Sequence, residues 1–193
     1  MAMSASDLRS MVMFAFTMVK QRRRQHPNRA ATLWAKGTTV TAFFGAGVWG
    51  FLHTLSSVNY YTHGTQVTAA HGHLAFFGAY VMLNLAIMAY AIPEMRGRQP
   101  YNQWLSIASF WMMCTAMSVM TFALTFAGVL QVHLQRVLGE SYMAVQDQLA
   151  LFYWVRLGSG AVVLVSALMF VWAVLMPGKE KEPAFGGYVE PAE

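Results

Sequence analysis

The sequence predicts an all-α protein, a polytopic membrane helix bundle of four transmembrane helices preceded by a shorter, truncated helix. Hydrophobic residues make up 56% of the 193 residues and charged residues only 11%, whereas soluble domains usually contain about 25% charged residues. No Asp, Glu, Lys or Arg occurs in residues 37–93 or 99–135. Since about 20 apolar helical residues cross a bilayer core, stretches of this length predict membrane spans.

The predicted spans are long apolar segments that end at turn-forming residues. They cover residues 30–52, 68–92, 103–130 and 148–175. Pro93 ends the second, and Pro177 with Gly178 closes the fourth, because proline cannot continue a helix. An apolar stretch within residues 1–20 is too short to span and is interpreted as a helix whose beginning is missing. The predicted organisation is a truncated helix (1–20), a basic cytoplasmic loop (21–29), a four-helix haem-binding region (30–177) and a disordered tail (178–193).

The placement of basic residues predicts the orientation in the membrane. Five of the 13 Lys and Arg residues lie in the segment KQRRRQHPNR, residues 20–29. The loop after the second span and the C-terminal tail each carry two more, whereas the alternate loops hold only Arg136. By the positive-inside rule the basic loop and the C-terminus face the cytoplasm. The apolar segments that flank the basic run also argue against a nucleic-acid partner and for membrane lipid.

Histidines within a membrane span are functional candidates, because ionisable groups are unfavourable there. His71 and His73 lie about one turn inside the second span and are separated by Gly72. Side chains two positions apart on a helix point about 200° apart, so one metal ion is not easily held by both. The pair suits two haems that flank one helix, each taking one axial nitrogen. Histidines that hydrogen-bond to neighbouring helices are the alternative.

The segments around these histidines resemble a known family. The stretch NYYTHGTQVTAAHGHLAFFGAYVMLNLAIMAYAIP, residues 59–93, is similar to the large subunit of cytochrome-c-dependent nitric oxide reductases, in the haem-copper oxidase superfamily. The resemblance extends to RRRQHPNRAATLWAKGTTVTAFFGAGVWGFLHT (22–54), FALTFAGVLQVHLQR (122–136) and VQDQLALFYWVRLGSG (145–160). It implies a partial haem-copper oxidase subunit I fold in a bacterial inner membrane.

The resemblance also implies roles for three histidines. His71 would bind the iron of haem b3, the active-site haem, and His73 would bind the iron of haem b, the electron-transfer haem. His63 would lie near the haem propionates, although an interfacial loop histidine is an equally good interpretation. The chain would be part of a catalytic large subunit that converts two NO molecules to N2O in denitrification, with a cytochrome c subunit as its partner.

The resemblance leaves parts of that enzyme outside this chain. The second ligand of haem b and the histidine and glutamate ligands of the non-haem iron would lie on helices that are absent here. We therefore expect the chain to be inactive without the missing N-terminal part of the subunit. The alternatives are a non-catalytic membrane haem-binding protein and a haem-free degenerate fragment.

Other polar residues near the spans are assigned structural roles. His53 and Thr54 end the first span on the side of the haem pocket in the family, and packing is favoured over a direct role for either. Arg156 lies within the fourth span, where a charge is unfavourable. It is expected to face protein, to lie near an edge of the membrane or to pair with a carboxylate such as Asp147, and the structural pair is favoured.

Overall fold

A computed structural model describes residues 28–180, together with Arg9, Val12, Met13 and Phe16. Apart from those four positions, the predicted truncated helix (1–20) lies outside the described residues. Residues 21–27 of the basic loop and residues 181–193 of the tail lie outside them as well. The described part is helical almost throughout, and its long helices are numbered below in chain order.

The first long helix covers residues 29–54 without a break. It consists of α1 (Arg29–Ala42), a π-helical segment (Phe43–Trp49) and α2 (Gly50–Thr54). The Asn28 side chain caps it by accepting a hydrogen bond from the N–H of Ala31 at 3.0 Å. The same side chain donates to the carbonyl oxygen of Ala89 at 2.8 Å. The start of this helix is therefore held against the second long helix.

The remaining elements complete the bundle. A short helix, α3 (Ser56–Thr62), follows the first long helix. The second long helix contains α4 (Gln66–Phe76), a π-helical segment (Phe77–Val81) and α5 (Met82–Met95). The third consists of α6 (Gln103–Val132) and a π-helical turn (His133–Val137), and the fourth is α8 (Ala150–Leu175), preceded by the short α7 (Tyr142–Gln148). The third long helix packs most extensively on the fourth, and the first packs along the second.

Among the described residues, three helices are long and apolar enough to cross a membrane: Gln66–Met95, Gln103–Val137 and Ala150–Leu175. They correspond to the second, third and fourth predicted spans. The first predicted span is helical throughout, but α1 is less apolar than the other helices because it contains Lys36 and several threonines. The predicted fold class, an all-α multi-pass membrane bundle, is confirmed.

The largest buried side chain joins three of the long helices. Trp34 of α1 is completely buried. Its Nε1–H donates to Ser106 Oγ at 3.2 Å. Its ring meets Phe110 of α6 edge to face at 5.1 Å and Phe170 of α8 at 5.2 Å between ring centroids. Because edge-to-face aromatic contacts are favourable, this cluster fixes the first helix against the third and fourth.

The end of the fourth long helix is tied to the loop after the second. Strand β1 (Arg98–Pro100) pairs antiparallel with β2 (Pro177–Glu180). Arg98 also forms a salt bridge with Glu180 at 3.3 Å. Residues 178–180, which the sequence placed in the disordered tail, are thus paired with β1. The two segments therefore lie together at one end of the bundle.

Candidate haem-binding site

Both candidate axial histidines lie on α4, which is part of the predicted second span. Thr65 caps the start of this helix, and its side chain accepts a hydrogen bond from the N–H of Val67 at 3.3 Å. The N–H of Gln66 donates to Oε1 of Gln131, a fully buried side chain of α6, at 2.9 Å. Such partners satisfy N–H groups that a helix start otherwise leaves unpaired. His71 and His73 follow within two turns of this anchored end, and both are half-buried.

The His71 ring is oriented by the first long helix. Its Nδ1 lies 3.0 Å from the carbonyl oxygen of Gly45. A carbonyl oxygen only accepts hydrogen bonds, so Nδ1 carries a proton and, in the neutral ring, Nε2 has the lone pair. Iron-ligating histidines usually have this arrangement, in which a backbone carbonyl holds one ring nitrogen and the other faces the metal.

The His73 ring has the same arrangement within its own helix. Its Nδ1 lies 2.7 Å from the carbonyl oxygen of Ala69, one turn earlier in α4. By the same reasoning Nε2 of His73 is the nitrogen with the lone pair. Within the described part of the chain, neither His71 Nε2 nor His73 Nε2 forms a hydrogen bond. Both histidines therefore offer the nitrogen that axial ligation uses.

Gly45 allows the first two long helices to touch backbone to backbone beside His71. A Cβ atom built on Gly45 would lie 2.8 Å from the carbonyl carbon and oxygen of Leu74 and from the nitrogen of Ala75. Small residues at such contacts are typical of membrane helix pairs. Gly45 lies in the π-helical segment Phe43–Trp49, and π-helical turns are frequent at functional sites. The close contact brings the Gly45 carbonyl to the His71 ring.

Gly72, between the two histidines, has open space beside it. A Cβ atom built there would meet no heavy atom within 4 Å. A macrocycle or a neighbouring helix would therefore have room beside this residue. Among the described residues, no group of three or more His, Cys, Asp or Glu side chains lies together to hold a metal ion. The two histidines of α4 are separate imidazoles, each held by its own backbone carbonyl oxygen, and single imidazoles are ligands of haem iron.

His53 of α2 lies against the His71 ring. The two rings are stacked, with centroids 4.8 Å apart and planes 20° apart. The sequence favoured packing for His53 but did not indicate which side chain it contacts. One sequence signal for this contact was available: residues 45, 49 and 53 recur every four positions, so His53 lies on the same helix face as Gly45 and Trp49.

The other ionisable candidates are not brought to this site. His63 lies in the turn between α3 and α4, followed by Gly64 with φ +73°, and its side chain is exposed. Its role near haem propionates stays a prediction.

Arg156 is exposed on α8. In the described residues it forms no ion pair with Asp147, so the predicted pair is wrong: the Arg156 side chain lies on the outer face of the bundle.

Residues 2–162 match the protein family described as cytochrome c and quinol oxidase polypeptide I. The nitric oxide reductase subunit NorB of Stutzerimonas stutzeri is 49% identical over 178 residues, which cover 88% of this chain and 38% of that protein. The chain thus spans well under half the length of this relative. Members of the matched family bind haem. Haem iron takes axial ligands from protein side chains, and the geometry of the His71 and His73 imidazoles suits that role. The resemblance seen in the sequence is confirmed, and the chain belongs to the family of cytochrome c and quinol oxidase polypeptide I, subunit I of the haem-copper oxidases.

Proposed function

We propose that this chain forms the haem-ligating part of a nitric oxide reductase large subunit, with His71 on haem b3 and His73 on haem b. One observation carries the proposal. Each imidazole donates Nδ1–H to a backbone carbonyl and keeps Nε2 unpaired among the described residues. The two side chains leave α4 about 200° apart, so each would meet its own haem. The similarity to NorB of Stutzerimonas stutzeri supports the choice of reaction.

The proposed reaction joins two NO molecules, two electrons and two protons to give N2O and water. Haem iron, when bound, supplies the redox chemistry. The residues of this chain bind and orient: the Gly45 carbonyl fixes the His71 ring, and the Ala69 carbonyl fixes the His73 ring. The non-haem iron, the second ligand of haem b and the cytochrome c subunit are proposed partners from outside this chain.

The proposed location is the bacterial inner membrane, with the C-terminus in the cytoplasm. The distribution of Lys and Arg among the loops supports it. The pairing of β1 with β2 agrees, because both strands belong to segments predicted on the cytoplasmic side.

A chimera tests the function. This chain replaces the matching part of NorB from Stutzerimonas stutzeri, and NO consumption is measured in membranes with an NO electrode. The chimera is expected to consume NO, and His71→Ala is expected to abolish consumption because the haem b3 iron loses its axial nitrogen. Gly158→Ala, at an exposed position with nothing within 4 Å of the added Cβ, is the matched control.

The other outcomes of the chimera experiment separate the alternatives. A chimera that carries haem but consumes no NO would contradict the proposed reaction and favour a non-catalytic haem protein. A folded chimera in which His71→Ala and His73→Ala leave the haem spectrum unchanged would contradict haem ligation by this chain.

A further inference from the structure

We propose that His53 is a positioning residue for His71: its ring stacks on the His71 imidazole and sets the plane that this ring presents to the haem iron. The inference rests on the proposed function, since it takes His71 as an axial ligand. It adds a second determinant of the ring's orientation to the hydrogen bond with Gly45. The sequence predicted only packing for His53, and packing alone does not require His53 to set the plane of the His71 ring.

A hydrogen bond to Gly45 alone leaves the His71 ring a degree of freedom. The bond joins Nδ1 to a carbonyl oxygen at 3.0 Å, and carbonyl oxygens accept hydrogen bonds over a broad range of directions. The ring can therefore tilt about this contact while the bond is kept. A flat neighbour at stacking distance removes that tilt, and the His53 ring lies at 4.8 Å with only 20° between the planes.

His53 is itself held in place by the same helix. Its Nδ1 lies 3.1 Å from the carbonyl oxygen of Trp49, one turn earlier. The Trp49 ring lies 6.4 Å from the His71 ring at 45°, so it is a second, looser neighbour. Gly45, Trp49 and His53 thus present a carbonyl, an indole and an imidazole to His71 from one helix face. A rigid scaffold of this kind orients a ligand that would otherwise move.

The His53 side chain is a poor choice for packing alone. Its Nε2 is buried and has no hydrogen-bond partner among the described residues. Buried polar atoms without partners are unfavourable and uncommon, and leucine would fill a similar volume without this penalty. Besides its hydrogen bond to the Trp49 carbonyl oxygen in the same helix, the contact that distinguishes His53 from leucine is the parallel ring stack on His71.

The test uses the full chain, loaded with haem in detergent, in a His73→Ala background so that the remaining haem is held by His71. The readout is the iron–histidine stretching band of the ferrous haem in resonance Raman spectra. His53→Phe keeps a flat ring, whereas His53→Gln and His53→Leu remove it. We expect the band to stay in place in His53→Phe and to shift and broaden in both His53→Gln and His53→Leu. Phe51→Leu, at an exposed residue of the same helix, is expected to leave the band unchanged.

The outcomes separate this inference from the proposed function. A band in His53→Gln and His53→Leu identical to that of the background would overturn the positioning role while leaving His71 as a ligand. Equal shifts in His53→Phe and His53→Leu would also overturn it, because the flat ring would then not be what acts. If the background shows no iron–histidine band, or the band survives His71→Ala, the proposed function itself fails. His53→Gln keeps a side chain that can hydrogen-bond within its own helix. Its iron–histidine band therefore tests the positioning role of His53 even if His53→Leu does not fold.

Discussion

Gly45→Val is expected to weaken haem binding at His71 by about 10–100-fold, the usual loss when the outer partner of a metal-ligating residue is removed. The added side chain has no room, because even a Cβ would lie 2.8 Å from the backbone of Leu74 and Ala75. A backbone neighbour cannot rotate away as a side chain can. The first and second long helices must therefore separate, and the Gly45 carbonyl moves away from His71 Nδ1.

The measurement for Gly45→Val is a haem titration followed by absorbance, again in a His73→Ala background. Gly158→Val is the matched control, because a Cβ at Gly158 meets nothing within 4 Å. The control is expected to bind haem as tightly as the background. If Gly45→Val does the same, then the contact between these two helices does not orient His71.

Trp34→Ala is expected to produce the largest loss of stability of any single substitution in the core. The change deletes a completely buried side chain, its hydrogen bond to Ser106 and its ring contacts with Phe110 and Phe170. Truncations of this size cost about 3–5 kcal/mol in soluble cores. In a membrane bundle the loss comes mainly from packing and interhelical hydrogen bonding.

The stability of Trp34→Ala is measured by thermal unfolding in detergent, followed by far-ultraviolet circular dichroism. Trp104→Ala is the control, since the Trp104 side chain is 79% exposed on the same bundle. We expect a clearly lower unfolding temperature for Trp34→Ala and little change for Trp104→Ala. Equal unfolding temperatures would mean that the cluster around Trp34 does not hold the first helix in the bundle.

The helices and the histidine pair could be predicted because their signals are local. Long apolar stretches predicted the second, third and fourth spans, and helical periodicity predicted that the side chains of His71 and His73 leave one helix in opposite directions. The first span was harder, because threonines and Lys36 make α1 less apolar than its neighbours. Its helical extent was nevertheless predicted.

The contacts that orient the site could not be predicted, because they join residues far apart in the sequence. The Gly45 carbonyl and the His53 ring reach His71 only after two long helices pack closely. Nothing in the composition of residues 43–49 indicates a π-helical segment. The predicted Arg156–Asp147 pair was wrong because closeness in sequence does not determine the direction of a side chain. The Arg156 side chain lies on the outer face of α8.

The central claim is that the imidazoles of His71 and His73 serve separate haems on opposite sides of α4. Haem content per chain, determined by the pyridine haemochrome assay after saturation and removal of free haem, tests it most directly. We predict one haem for each histidine in the unaltered chain, a single haem in either His71→Ala or His73→Ala, and none in the double variant. A single haem in the unaltered chain that is lost in both single variants would contradict the claim, because the two histidines would then share one site.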